Sequence, residues 1–289
     1  MKKIALFLSL GCFLSTTTAN ADLLVYEGFE GYYDKSSTQG SSSFNGKNDH
    51  LVGQSDLNGG FGWSGSWSTN LNIHQSSMSK SGLVVSQGHY VGDGTTYRNF
   101  DTSANSKLAK AGFVNGNGKV GAVGKTLWFS FLGANENMSS WGGVSFFDGS
   151  NESIYIGKGS YKWKVMPYGG TQPSTTSDVL IGKSINPDLI VMKMTFNQNS
   201  TEISFWINPD GSSNDPTGKE YKVVSSNGSP RTFDRIRFAS GSGDNSIDEL
   251  KIGTDYNSVT SNAVPEPATM VLLAMGGAGC LLRRKRKSA

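Results

Sequence analysis

The segment Tyr161-Lys162-Trp163-Lys164-Val165 alternates aromatic or apolar side chains with lysine, the period-two pattern of a strand with one buried and one wet face. Similar short runs recur at Leu23 to Phe29, Ser153 to Gly157, Leu189 to Phe196, Glu202 to Ile207, Arg235 to Phe238 and Ile247 to Ile252. Leu127 to Leu132 is nearly continuously apolar and is expected at the centre of a sheet. Between these runs lie Asp148-Gly149-Ser150-Asn151, Asn208-Pro209-Asp210-Gly211 and Ser240-Gly241-Ser242-Gly243-Asp244, which read as turns. The 37 glycines fit that reading, since glycine supplies the positive φ that tight turns demand. No long run of period 3.6 appears outside the two ends of the chain. Pattern and composition therefore imply an all-β body, a sandwich or a barrel.

The N-terminal third is less regular. Asp34 to Asn48 is rich in Ser, Gly and Asn and reads as a loop, as does the stretch 93–124. Asn58 to Trp67 is too glycine-rich for a regular element, yet Phe61, Trp63 and Trp67 within it must pack against something.

Both ends differ from the body. Residues 1–21 combine Lys2 and Lys3, an apolar run from Ile4 to Leu14 and the small-residue triplet Ala19-Asn20-Ala21, the layout of a secretory signal peptide cut before Asp22. A competing reading has Cys12 as a lipidated cysteine. At the other end, the Pro265-Glu266-Pro267 triplet precedes an uncharged apolar run over 268–282 and then the basic cluster Arg283, Arg284, Lys285, Arg286 and Lys287. As a helix the run spans ~22 Å, short of the ~30 Å hydrocarbon core of a bilayer. The flanking cations can snorkel to the headgroups and hold that end on the cytoplasmic side, which places the body outside. Residues 258–263 read as a linker between body and tail.

Charge belongs largely to these ends. The whole chain carries 26 basic and 23 acidic residues. Lys2, Lys3 and the tail cluster hold seven of the basic ones and Glu266 one of the acidic ones, leaving 19 against 22, a net of −3. A nucleic-acid partner thereby loses its electrostatic support. Cys12 and Cys280 also lie in the ends, so the body has neither a disulfide nor a thiol site.

The sequence Val264-Pro265-Glu266-Pro267-Ala268-Thr269, a short Gly-rich apolar segment and a terminal Arg/Lys cluster together resemble the PEP-CTERM sorting signal of bacterial surface proteins. The resemblance implies an exosortase-type enzyme that recognises the triplet and transient anchoring in the inner membrane. It also implies delivery to the cell surface, outer envelope or extracellular matrix. The alternative is an anchor helix that is never cleaved. Five segments of the body, in order, resemble LamG-like, concanavalin A-like jelly-roll domains: Leu24 to Glu30, Gly60 to Trp67, Lys125 to Phe131, Ile207 to Asp210 and Ile247 to Gly253. That likeness covers most of 22–257 and implies an antiparallel two-sheet sandwich with its first and last strands adjacent.

Catalytic patterns are sparse. Hydrolases of the fold it resembles carry Glu-x-Asp-x-x-Glu on one strand, and no such run occurs here. His50, His74 and His89 are scattered without ligand or triad spacing. No cofactor is required by any motif. Two binding readings remain. Trp128 shares a strand face with Ser130, and Trp206 with Ser204 and Glu202, so both tryptophans are candidate sugar platforms; the bland alternative packs them beneath the long loops. Calcium is the second, because the resemblance brings sheet-edge Ca²⁺ sites with it. Asp244, Asp248, Glu27 and Glu30 would converge if the terminal strands pair. Asp248 shares parity with Leu250 and Ile252 and is expected to point inward, where a backbone amide, Arg235 or Arg237 is the alternative partner. The expectation is a non-enzymatic, surface-sorted sandwich with a structural or adhesive role. The alternatives are a module binding envelope or matrix polysaccharide and, on fold analogy alone, a divergent polysaccharide hydrolase.

Overall fold

The computed structural model describes residues 21–29, 59–68, 73–74, 78–80, 83, 85, 89–135, 141–159, 161–168, 174–182, 186–210, 215–226 and 228–261. The signal peptide expected over 1–21, up to residue 20, the loop expected over 34–48, the helix expected over 268–282 and the basic cluster 283–287 lie outside the described residues.

The strands, in chain order, are β1 (Leu23–Glu27), β2 (Trp63–Ser64), β3 (Ile73–His74), β4 (His89–Phe100), β5 (Thr126–Asn135), β6 (Gly142–Asp148) and β7 (Asn151–Gly159). They continue with β8 (Lys162–Pro167), β9 (Thr175–Leu180), β10 (Asp188–Phe196), β11 (Thr201–Ile207), β12 (Tyr221–Ser225) and β13 (Arg235–Gly253). Two short helices complete the set, α1 (Lys107–Lys110) and α2 (Tyr256–Thr260). Every described pairing is antiparallel, and the strands form the two-sheet sandwich expected.

β13 organises both layers. Along one edge it pairs with β4 and then with β1, with Leu23 opposite Gly253 and Glu27 opposite Leu250. Along the other it pairs with β6 over Arg235–Ser240 and with β5 over Asn245–Gly253. One layer is therefore β1-β13-β5-β10-β11-β12, and the other is β4-β13-β6-β7-β8-β9. The change of partner falls where the register with β4 breaks between Ser240 and Asn245. The turn expected at Ser240 to Asp244 is thus a bulge inside one long strand. A Gly/Ser-rich stretch permits the sharp local bend that carries the strand from one layer to the other. Far from β13 the layers also touch, where the Tyr221 hydroxyl donates to Asp178 and Lys219 pairs with it at 2.6 Å.

Strand parity places the core as the sequence indicates. Leu127, Phe129 and Phe131 of β5 point inward with Ile190, Met192 and Met194 of β10, against Val144 and Phe146 of β6 and Ile154 and Ile156 of β7. Trp163 is buried among them and donates to Asp188 at 2.8 Å. The Gly-rich segment of the first third is seated as well. Phe61 pairs with Tyr26 through backbone bonds of 3.0 and 3.1 Å, Trp63 stacks on Phe100, and Trp67 packs on Phe238 at 4.5 Å. Its glycines are required: Gly60 sits at φ +70°, and a Cβ there would lie 2.2 Å from the Tyr26 carbonyl oxygen.

Two further expectations are corrected. The stretch 93–124, read as a loop, contains the end of β4 and helix α1. β4 escapes the pattern because its sequence, HYVGDGTTYRNF, interrupts alternation with glycines; it is held by β13 along most of its length. The body also runs past residue 257. Asp255 caps α2 by accepting from the Ser258 amide at 2.8 Å, and Ser258, Val259 and Thr260, assigned to the linker, are buried.

Candidate binding site

Trp128 and Trp206 do come together, on the outer face of the β5-β10-β11 layer. Their rings stack at 5.9 Å and 19°, Tyr256 of α2 meets Trp128 edge-on at 5.7 Å, and each indole is only 7 % exposed. Met78, Leu132, Ala134, Leu189, Val191 and Val259 complete this second apolar cluster. Ser130 donates to the Val259 carbonyl at 2.6 Å and locks α2 down. The indoles therefore face one another and the strap formed by α2, and in this arrangement neither offers a ring face to a sugar.

Of the four carboxylates proposed for calcium, Glu27 and Asp248 are engaged by other partners. Glu27 is fully buried on the core side. It pairs with Arg98 at 2.5 Å and accepts from the Trp67 indole at 2.9 Å and the Phe29 amide at 3.0 Å. Arg98 is the partner that sequence reasoning missed, because it comes from β4; it also donates to the carbonyls of Gly65 and Gly59. Asp248 is fully buried, but it lies on the opposite face from Glu27, beside Leu132, and not inward with Leu250 and Ile252 as shared parity predicted, because the register shifts between Asp248 and Lys251. It accepts from the amides of Met78 at 3.2 Å and Glu249 at 2.8 Å, so the partners are backbone amides, and neither Arg235 nor Arg237 reaches it. Burial and then the adjacent Glu249 carboxylate hold its carboxyl well above the usual range. Consecutive acids share a face because Glu249 adopts φ +49° in a bulge between Asp248 and Lys251. Glu30 and the Asp244 side chain lie outside the described residues, as do the three histidine side chains. Among the described residues no three His, Cys, Asp or Glu side chains gather in a way that would hold a metal ion.

A different surface carries the accessible polar chemistry. On the outer face of the second layer, Arg235 and Arg237 stand two residues apart on β13 while Ile236 and Phe238 fill the core. The Arg235 guanidinium lies over the rings of Tyr97 at 4.7 Å and Phe147 at 5.3 Å, and the Arg237 guanidinium over Phe147 at 4.6 Å. Arg237 is neutralised by Glu152 at 2.5 Å and donates to Ser145 at 3.1 Å. Tyr155 and Tyr168 border this pair. Burial, with the charge of Glu152 nearby, pushes both phenols up, so they stay neutral, and Tyr155 donates to the Gly142 carbonyl at 3.0 Å. The sequence signal for this face was the alternation Arg-Ile-Arg-Phe, and what hid it was that Phe147, Tyr97 and Glu152 arrive from three other strands.

At the end of this face a groove of about 500 Å³ opens, lined by Ser64, Asn99, Thr102, Ser150, Asp234 and Arg235 among others. The β6–β7 turn forms one wall. Arg235 donates to the Gly149 carbonyl, and Asp234 accepts from the Gly149 amide at 3.2 Å. Lys119 pairs with Asp148 and lies 3.9 Å from Asp234, which fixes the far side. The groove presents guanidinium, carboxylate, amide and hydroxyl groups, suited to holding a polar ligand by hydrogen bonds.

Among solved structures, the chain is similar to the binding domain of Paraclostridial Mosquitocidal Protein 1, at 12 % identity and TM-score 0.44, covering 83 % of this chain and 51 % of that one. It is also similar to the botulinum neurotoxin serotype D binding domain, at 10 % identity and TM-score 0.38, covering 67 % and 46 %. A third is the polysaccharide lyase family 7 alginate lyase AlgAT5, at 9 % identity and TM-score 0.33, covering 64 % and 78 %. The chain spans about half the length of the two toxin domains. No curated protein matches it significantly in sequence. Residues 263–287 match the PEP-CTERM protein-sorting motif, so this sandwich is the body of an exported protein that bears an exosortase sorting signal.

Proposed function

We propose that the chain is a non-enzymatic surface protein of the envelope or extracellular matrix, with a structural or adhesive role exercised through the outer face of the β4-β13-β6-β7-β8 layer. The observation that carries this reading is the contrast between the two outer faces. One is closed by α2 over Trp128 and Trp206, whereas the other presents Arg235, Arg237, Glu152 and Tyr97 at the surface beside an open polar groove. Ring-backed guanidinium groups and an adjoining hydroxyl-lined groove support polysaccharide binding as the form the adhesion takes.

The sorting step is tested with Glu266→Ala in a host possessing an exosortase. The expected result is an altered mature C-terminus and loss of surface display; an unchanged terminus and location would overturn it. Incubating the purified chain with polysaccharides tests the non-enzymatic reading. No release of new chain ends is expected, and turnover would make the chain a hydrolase or lyase.

A further inference from the structure

Two arginines on one strand face differ in how their charge is met. Arg237 has a carboxylate partner, Glu152. Arg235 has none within ion-pair distance among the described residues: its contacts are the Gly149 carbonyl and the rings of Tyr97 and Phe147, and its buried Nε has no hydrogen-bond partner. Arg235 is also the one that lines the groove. The other titratable groups at the groove are already engaged, since Asp234 is held by the Gly149 amide and lies beside Lys119, which is paired with Asp148. The groove thus has one cation with no carboxylate within ion-pair distance, set among the neutral groups Asn99, Thr102, Ser64 and Ser150, with the Asp234 carboxylate, offset by Lys119 at 3.9 Å, on the same wall.

We propose that this groove binds a carboxylate-bearing saccharide, with the acid group on Arg235 and sugar hydroxyls on Asn99, Thr102, Ser64 and Ser150. The assignment rests on the reading of the outer face as an adhesive surface and names its ligand class. A planar guanidinium resting against two rings is preorganised for a carboxylate, which it can meet with two parallel hydrogen bonds. Small hydroxyl and amide side chains around it suit sugar hydroxyls, and the one carboxylate in the lining, Asp234, has Lys119 at 3.9 Å to offset it. The volume falls within the ~300–1,000 Å³ of small-molecule sites. Because the body's net charge is −3, attraction of a polyanion to the whole surface is not available, and recognition depends on this local cation.

Calorimetry on the full chain in mild detergent tests the site, with a galacturonate tetramer as probe and a neutral galactose tetramer and a tetraglutamate peptide as comparisons. Saturable binding of the uronate tetramer alone is expected. Arg235→Gln should weaken it at least about tenfold, as loss of a charge-assisted bidentate contact does. Asn99→Ala, at an exposed position that leaves the core untouched, should weaken it several-fold, which keeps the test valid if Arg235→Gln misfolds. Lys222→Gln removes a positive charge on the distant β12 and should leave affinity unchanged. The proposal is overturned by absence of saturable binding, by equal binding of the neutral tetramer or the peptide, or by an equal loss in Lys222→Gln. Surface display of the same variants is scored separately, so a chain that is sorted but binds no uronate sinks this site and leaves the sorting reading standing.

Discussion

Arg98 and Glu27 form an ion pair at 2.5 Å with side chains only 2 % and 0 % exposed, and this pair ties β4 and the Gly-rich segment to β1. Removing one partner leaves the other charged and buried, so Arg98→Ala should cost about 3–5 kcal/mol in urea unfolding. The double change Arg98→Met, Glu27→Leu should recover much of that loss. A single variant as stable as the parent would show that the pair is not what holds β4.

Asp248 makes stability depend on pH in a definite direction. Its folded pKa is raised, chiefly by burial, so the folded chain binds a proton more tightly than the unfolded one. The stabilisation is complete below the unfolded value of about 3.9 and is lost as pH climbs through the elevated folded value. Thermal melts of the parent and Asp248→Asn at pH 5 and pH 8 read this out. On going to pH 8 the parent should lose stability relative to the variant, and parallel behaviour would exclude Asp248 as the titrating group.

Trp206 is a structural residue beneath α2. Trp206→Ala should destabilise by about 3–5 kcal/mol, as large aromatic deletions in cores do. A chain ending at residue 253 removes α2 and should both lower the melting temperature and shift tryptophan emission to longer wavelength, since Trp128 and Trp206 become wet. Unchanged emission would mean that α2 does not cover them.

Gly60 tests the seating of the aromatic segment. Gly60→Ala places a methyl against the Tyr26 carbonyl oxygen in a left-handed conformation, and should cost at least about 1–2 kcal/mol from the backbone alone. Gly65, also at positive φ but with open space around it, should respond only through that backbone term. Equal losses at the two sites would remove the steric argument.

Local pattern was readable where strands are short and one face is dry. Leu127, Phe129 and Phe131 face the core while Trp128 and Ser130 face away, and the terminal strands pair as the LamG-like resemblance implied. Long-range matters were not readable. Ser240 to Asp244 has the composition of a turn, and only the partners on either side make it a bulge in β13. The outer face of β5 and β11 looks wet in sequence because its cover is a five-residue helix far along the chain. The partners of Glu27, Arg235 and Arg237 come from β4, β6 and β7, and ion pairing leaves no local periodicity to follow.

The last described residues also set how the domain meets mechanical load. The chain leaves through α2, which is anchored by Ser130 and joined directly to β13, the strand bonded to β1, β4, β5 and β6. A pull on the C-terminal end would therefore meet a five-residue strap first and then the strand that pairs with four others among the described residues. Loss of that strap would uncover the Trp128–Trp206 pair while the strands of the sandwich stay paired.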